Sequence, residues 1–296
     1  MPERTYAEAI TDALAEELRA NPKIIVIAED GAVSPAVARL RDEFGAERIR
    51  SGDAGPATLA GAAVGAALCG YRPVLELAGA ESLPAALAQL AAEGAKAAAA
   101  PLVMRVACGD RIHSSLASCW TLVPEMRVAA PATPADAKGL LRTALRDAHG
   151  PAVFLEHARL YDTKGDVPAG DYTVTFGVAA VRRPGKQLTV VAYGALVNAA
   201  LAACEQLARE GGADAELLDL RTLQPCDLPA ILASLRKTGR VLLCACASAG
   251  FSSELAQCIG EQGFDDLDAP VRRVRVSDPD GAQQAIAQAI AALAAE

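Results

Sequence analysis

Short apolar runs alternate with helix-period segments along the whole chain, and this alternation constrains the fold more than any other feature. The runs KIIVIAED at 23–30, RPVLELA at 72–78, PLVMRVA at 101–107 and PAVFLEH at 151–157 are typical of buried strands. Apolar residues recur at helical spacing in 5–20 and in 133–150, where Thr133 is the predicted N-cap. The Ala-rich segment 83–99 predicts a further helix. The order predicts an α/β protein with mostly parallel sheets flanked by helices.

Residues 158–186 interrupt the alternation with a stretch rich in Gly, Pro and charge, which is typical of an interdomain linker with one or two short strands. The alternation restarts with the apolar run QLTVVAYG. A chain of 296 residues is long enough for two cores. We therefore predict an α/β domain at 1–157 and a second one at 187–296.

Composition and charge exclude several classes of protein. Hydrophobic residues make up 52 % of the chain and charged residues 22 %, which favours a globular protein. The net charge of −8 argues against nucleic acid or an anionic membrane as the main partner. No apolar run is long enough to span a bilayer, and the N-terminus lacks the pattern of a signal peptide. We expect a cytoplasmic protein, in which the basic run VRRVR is a solvated edge or an interface.

The cysteine and histidine patterns do not indicate a metal site. The eight cysteines fit no metal-ligand spacing, so we predict reduced and mostly buried thiols and no metal bound by this chain. His149 and His157 lack a functional context, and we expect both at the surface.

Several stretches stand in an order that is specific as a set. They are Ala28–Asp30, LAGAAVGAA at 59–67, GYRPVLE at 70–76, His113–Ser114, PATPADAKGL at 131–140, VFLE at 153–156 and DLRTLQP at 219–225. Together they resemble the beta subunit of the thiamine-diphosphate-dependent decarboxylase component of 2-oxo acid dehydrogenase complexes, in the transketolase superfamily. The resemblance covers essentially the whole chain and implies a pyrimidine-binding domain followed by a transketolase C-terminal-like domain.

The resemblance also implies partners and a cofactor. A separate alpha subunit would hold the diphosphate of thiamine diphosphate and its Mg²⁺, and the active site would lie between the two subunits of an α2β2 assembly. This chain has no Gly-Asp-Gly…Asn-Asn type magnesium motif, so we expect it not to hold the diphosphate alone. The implied substrate is a small 2-oxo acid or a related acyl or ketol donor.

By the same resemblance, His113 is the candidate catalytic residue, and Glu29, Pro56, Leu59 and Glu81 are the candidate cofactor-binding positions. The family carries a Glu where an ungapped alignment on AGAAVGAA places Pro56. A carboxylate there favours the imino tautomer of the cofactor's aminopyrimidine, and proline has no carboxylate. The aromatic segment expected near Glu81 is also replaced by ELAGAESL.

Three hypotheses remain open at this point. The chain is an active beta subunit with an altered activation route, a divergent paralogue for an unusual substrate, or a non-catalytic scaffold or regulatory subunit. Asp53 and Glu81 would replace the missing carboxylate only in a rebuilt loop, so we interpret both as solvated. Pro56 itself suits the first turn of a helix, where its missing N–H is not needed.

Overall fold

The computed structural model describes residues 2–296 except 31–34, 109–122, 124, 148, 247–249 and 277–279. The described residues form two compact units, the first ending at Phe176 and the second beginning at Gly177. None of the helices in this part of the chain is long and apolar enough to cross a membrane.

The first unit is a parallel sheet with helices. Its strands are β1 (Glu3–Thr5), β2 (Ile24–Glu29), β3 (Ile49–Gly52), β4 (Arg72–Leu77), β5 (Val103–Cys108), β6 (Arg127–Ala129), β7 (Ala152–His157) and β8 (Lys164–Asp166). Its helices are α1 (Tyr6–Ala20), α2 (Pro35–Phe44), α3 (Pro56–Leu68), α4 (Leu83–Glu93), α5 (Ala95–Ala98) and α6 (Pro134–Arg146). Six strands lie in the order β6-β7-β5-β4-β2-β3 and are all parallel, whereas β1 and β8 form an antiparallel pair.

The second unit repeats the α/β plan. Its strands are β9 (Ala180–Arg183), β10 (Leu188–Ala192), β11 (Ala215–Asp219), β12 (Thr222–Gln224), β13 (Val241–Cys246) and β14 (Arg272–Val276). Its helices are α7 (Leu196–Arg209), α8 (Leu228–Thr238), α9 (Gly250–Gln262) and α10 (Ala282–Ala294). The sheet order is β14-β13-β10-β11-β9, and only β9 runs antiparallel to its neighbour. The predicted fold class is confirmed, and the basic run VRRVR lies in the edge strand β14.

Two details of the first unit show where local signals succeed and fail. Thr133 caps α6 as predicted, since its Oγ1 accepts a hydrogen bond of 3.2 Å from the backbone N–H of Asp136. The Ala-rich segment 83–99 was expected to form one helix, but it is divided into α4 and α5 at Gly94. Gly94 has a φ of +56°, a left-handed value that ends a helix and that glycine adopts without strain.

The expected burial of the cysteines and histidines was partly wrong. Of the free cysteines among the described residues, two are buried, three are half-buried and one is exposed: Cys204 and Cys244, then Cys108, Cys226 and Cys258, then Cys69. Cys69 is exposed because it follows α3 at the surface end of that helix. His149 is exposed as predicted, whereas His157 is buried because it ends β7, an inner strand between β6 and β5. The Nδ1 of His157 accepts a hydrogen bond from Arg159 N.

Candidate cofactor-binding site

The carboxyl ends of β2 and β4 form the candidate site. In the strand order β5-β4-β2-β3, the chain runs from β2 to β3 toward one edge of the sheet. It runs from β4 to β5 toward the opposite edge. Ligands of open α/β sheets bind at such a reversal of strand order, outside the carboxyl ends of the strands. We call this place the strand-end crevice and define it by Glu29, the loop 52–56 and the turn 78–82.

Glu29, at the end of β2, is hydrogen-bonded to the turn 78–82 that follows β4. Its Oε2 accepts a hydrogen bond of 2.8 Å from the backbone N–H of Ala78, and its Oε1 accepts one of 3.1 Å from Ser82 Oγ. Hydrogen bonds to an ionised carboxylate are stronger than those between neutral groups. Glu29 therefore holds the turn that follows β4 against the end of β2, and each of its oxygens already accepts one hydrogen bond.

Helix α3 opens at the crevice with Gly55 and Pro56. Gly55 is the N-cap in an extended conformation and provides no side-chain cap, and Pro56 occupies the first helical turn. This is the position where a missing N–H costs nothing. Pro56 is half-buried, whereas Leu59 is buried in the core with its N–H bonded to the Gly55 carbonyl at 3.1 Å. The mouth of α3 thus contains no acidic side chain in its first turn.

The small residues of α3 serve packing on one face only. A Cβ added at Gly61 would meet the Gln89 side chain of α4 at ordinary contact distance, 3.5 Å. A Cβ at Gly65 would enter open space. Thr58, Gly65 and Leu68 are exposed and recur at helical spacing. Within the described residues, this face of α3 is therefore left uncovered.

Glu81 and Asp53 lie at the outer side of the crevice. Glu81 is exposed and folds back over Gly79, because a Cβ added at Gly79 would lie 2.5 Å from either carboxylate oxygen of Glu81. Asp53 is also exposed, in the loop between β3 and α3. Both carboxylates are thus at the surface, in agreement with their interpretation as solvated groups.

A buried charge cluster lies on the neighbouring strands β4, β5 and β7, of which β4 borders the crevice. Arg105 Nε donates to Glu156 Oε1 at 2.6 Å and Nη2 donates to Glu156 Oε2 at 3.0 Å, and Arg105 Nη1 donates to Glu76 Oε1. Tyr161 OH donates to Glu156 Oε2 at 3.1 Å. Glu76, Arg105 and Glu156 are each less than one tenth exposed. One guanidinium therefore compensates two buried carboxylates.

This imbalance sets the pKa values in the cluster. Burial raises the pKa of Glu76 to about 7, because the attraction of Arg105 is too weak to offset the loss of water and the repulsion of Glu156. Burial lowers the pKa of Arg105, but its two carboxylate partners outweigh that effect and raise it. Burial also raises the pKa of Tyr161. Arg105 therefore stays charged, and Glu76 is the group that takes up a proton near neutral pH.

The sequence contains a signal for this cluster. Glu76, Arg105 and Glu156 stand inside the apolar runs RPVLELA, PLVMRVA and PAVFLEH. A charged residue within a strand that is buried on both faces requires a partner on the neighbouring strand. Glu76 and Arg105 are paired in the register of β4 and β5, which places their side chains on the same face of the sheet.

The predicted site residues differ in where the structure places them. Glu29, Pro56 and Glu81 all border the strand-end crevice, whereas Leu59 is buried below its mouth. His113 lies outside the described residues. Among the residues that the structure describes, no group of three or more His, Cys, Asp or Glu side chains is placed to hold a metal ion.

Comparison with known proteins defines the class of both units. The transketolase pyrimidine-binding domain matches residues 3–164, and the transketolase C-terminal domain matches residues 177–294. The structure resembles a split gene transketolase in an inactive beta4 tetramer with a TM-score of 0.78, covering 98 % of each chain. At 21 % identity this likeness shows the fold alone. The chain is thus a transketolase-type pair of domains.

Relatives at higher identity define the family. The chain is 37 % identical to the 2-oxoisovalerate dehydrogenase subunit beta of Bacillus subtilis, covering 93 % of this chain and 89 % of the relative. It is 35 % identical to the pyruvate dehydrogenase E1 component subunit beta of the same organism, covering 94 % and 91 %. The chain belongs to the family of beta subunits of 2-oxo acid dehydrogenase E1 components.

The crevice does not offer the carboxylate that activation of thiamine diphosphate requires. Activation needs a carboxylate that is free to hydrogen-bond a ring nitrogen of the aminopyrimidine. Pro56 has no such group, and Glu29 stands at the end of β2 rather than in the first turn of α3, where Ala78 N and Ser82 Oγ fix its carboxylate. The described residues of the crevice therefore do not fit the activation of the cofactor.

Proposed function

We propose that this chain is the beta-type subunit of a thiamine-diphosphate-dependent enzyme that acts on a 2-oxo acid or a related acyl or ketol donor. The reaction class is decarboxylation with acyl or carboligation transfer. A separate alpha-type subunit holds the diphosphate and Mg²⁺, and a dimer of this chain forms part of an α2β2 assembly in the cytoplasm. When bound, the cofactor supplies carbanion chemistry next to the substrate's keto carbon.

The observation that carries this proposal is similarity over nearly the whole chain to beta subunits of 2-oxo acid dehydrogenases. The similarity extends through both matched domains, at 37 % and 35 % identity in two relatives. The relatives' names describe beta subunits, which supports a partner chain for this protein as well. The strand-end crevice supports a ligand at the carboxyl ends of β2 and β4.

The uncovered face of α3 supports the partner proposal. Thr58, Gly65 and Leu68 lie on this face, and Leu68 is 55 % exposed. At Gly65 no side chain stands between this face and an approaching helix, and Leu68 offers it an exposed apolar side chain. We place the alpha-type subunit on this face, next to the mouth of α3.

His113 is proposed as the catalytic residue of this chain, in contact with the substrate. If so, His113→Ala in the complex lowers kcat by about 10²–10⁴-fold, the range for a lost acid–base group, while cofactor affinity is kept. A matched control is His149→Ala, since His149 is exposed on the first unit. Unchanged kcat in His113→Ala would contradict the assignment.

The function is tested by co-expressing this chain with an alpha-type subunit and assaying the purified complex. The expected result is a complex with equal numbers of the two chains and release of CO₂ from one or more of pyruvate, branched-chain 2-oxo acids and 2-oxoglutarate. The assay also includes ketol donors such as acetoin. A complex that forms but acts on none of them contradicts the catalytic proposal.

Pro56 favours a second candidate function, that of a non-catalytic structural or regulatory paralogue. Proline removes the carboxylate but fits the first turn of α3, so the fold and the uncovered face are kept without the chemistry. This candidate predicts a stable complex with the alpha-type subunit that lacks turnover. The same co-expression assay separates the two functions.

A further inference from the structure

The strand-end crevice contains one carboxylate in a fixed position, and that carboxylate has a structural task. Glu29 receives hydrogen bonds from Ala78 N at 2.8 Å and Ser82 Oγ at 3.1 Å. Ser82 is buried, so its hydroxyl depends on a protein partner. Moving Glu29 toward a ligand would remove both bonds and leave a buried hydroxyl and a backbone N–H to be satisfied otherwise.

The other carboxylates near the crevice are at the surface. Glu81 is exposed and lies over Gly79, and Asp53 is exposed in the loop before α3. A solvated carboxylate is a weak hydrogen-bond partner for a ligand because water competes for its oxygens. Neither group is placed at the first turn of α3, where Pro56 stands.

We infer that thiamine diphosphate bound at the strand-end crevice receives no activating carboxylate from this chain, and that Pro56 is the cause. This inference rests on the proposed function, because it presupposes that the assembly binds the cofactor. It separates two tasks of a beta subunit: the crevice accommodates the pyrimidine end, but this chain does not promote loss of the thiazolium proton.

The structure allows the missing group to be restored without disturbing the fold. Pro56 is half-buried at the first helical turn of α3, and no acidic residue is present in that turn. Glutamate is favourable near a helix N-terminus because its charge complements the exposed N–H groups. Pro56→Glu is therefore expected to fold, and Pro56→Gln is a control of matched size and shape without the charge.

The experiment measures deuterium exchange at the thiazolium carbon of bound thiamine diphosphate, by NMR after acid quench, in complexes of this chain with an alpha-type subunit and without substrate. Calorimetric titration of thiamine diphosphate with Mg²⁺ first establishes that each complex binds the cofactor. The expected result is exchange in Pro56→Glu faster than in Pro56→Gln and wild type by about 10²–10⁴-fold, the range for an acid–base group.

The outcomes distinguish this inference from the function on which it rests. Faster exchange in Pro56→Glu with equal cofactor binding supports the inference. Bound cofactor that exchanges no faster in Pro56→Glu than in wild type and Pro56→Gln overturns it, while the cofactor proposal stands. Failure of the wild-type complex to bind thiamine diphosphate contradicts the proposed function itself.

Discussion

Arg105 holds Glu156 through two parallel hydrogen bonds, from Nε to Oε1 at 2.6 Å and from Nη2 to Oε2 at 3.0 Å. The same guanidinium also binds Glu76 on the other neighbouring strand. This arrangement links β4, which borders the strand-end crevice, to β5 and β7. The sheet of the first unit is therefore held together by a charge cluster as well as by apolar packing.

Removing Arg105 is expected to destabilise the first unit strongly. Arg105→Met leaves two buried carboxylates without their cation, and breaking a buried ion pair on one side costs about 3–5 kcal/mol. Urea unfolding at pH 7.5 measures the free energy of unfolding. The control is Arg4→Met, which removes an exposed ion pair with Asp12 and is expected to cost less than about 1 kcal/mol. Equal losses in the two variants would contradict the role of the cluster.

Glu76 is expected to make stability fall as pH rises. Its pKa is raised to about 7 in the folded chain, so between about pH 4.5 and 7 the folded state holds a proton that the unfolded state has released. Stability is therefore lost as pH rises through this window. At 1.36 kcal/mol per pKa unit the loss is about 3 kcal/mol.

Glu76→Gln tests this dependence because glutamine mimics the protonated carboxyl. The difference in free energy of unfolding between the variant and wild type should shift in favour of the variant from pH 5 to pH 8, measured by urea titration at both. Glu47→Gln, at an exposed glutamate, is the control and should follow wild type. A Glu76→Gln profile parallel to wild type would show that Glu76 is ionised throughout.

Glu29 is expected to control the order of the turn 78–82. Glu29→Gln removes the charge from the hydrogen bonds to Ala78 N and Ser82 Oγ, and a hydrogen bond to a charged group contributes about 1.5–3 kcal/mol. Hydrogen exchange of the Ala78 amide should become at least about tenfold faster. Glu81→Gln is the matched control, since Glu81 is exposed in the same turn. Unchanged protection of the Ala78 amide in Glu29→Gln would contradict the role of Glu29 in ordering this turn.

Most elements of the fold were predictable because their signals are local. Apolar runs predicted β2, β4, β5 and β7, and helical spacing together with the Thr133 cap predicted α6. The short strands β1 and β3 were missed because they are partly exposed and polar, so no apolar run marks them. The break at Gly94 was missed because alanine on both sides hides the one residue with a left-handed backbone.

The candidate site was less predictable because its contacts join distant parts of the chain. Glu29 and Ala78 are 49 residues apart, and Arg105 is 51 residues from Glu156. Only the order and register of the parallel strands bring these groups together. The resemblance indicated Glu29, Pro56 and Glu81 as site positions, but it did not indicate that Glu29 is held by the turn after β4.

The most direct test of the central claim is calorimetric titration of thiamine diphosphate with Mg²⁺ into this chain alone and into its complex with an alpha-type subunit. A shared site predicts binding only to the complex, since this chain supplies the pyrimidine side and the partner supplies the diphosphate and metal side. A complex that forms without binding the cofactor would contradict the account and identify the chain as a structural subunit.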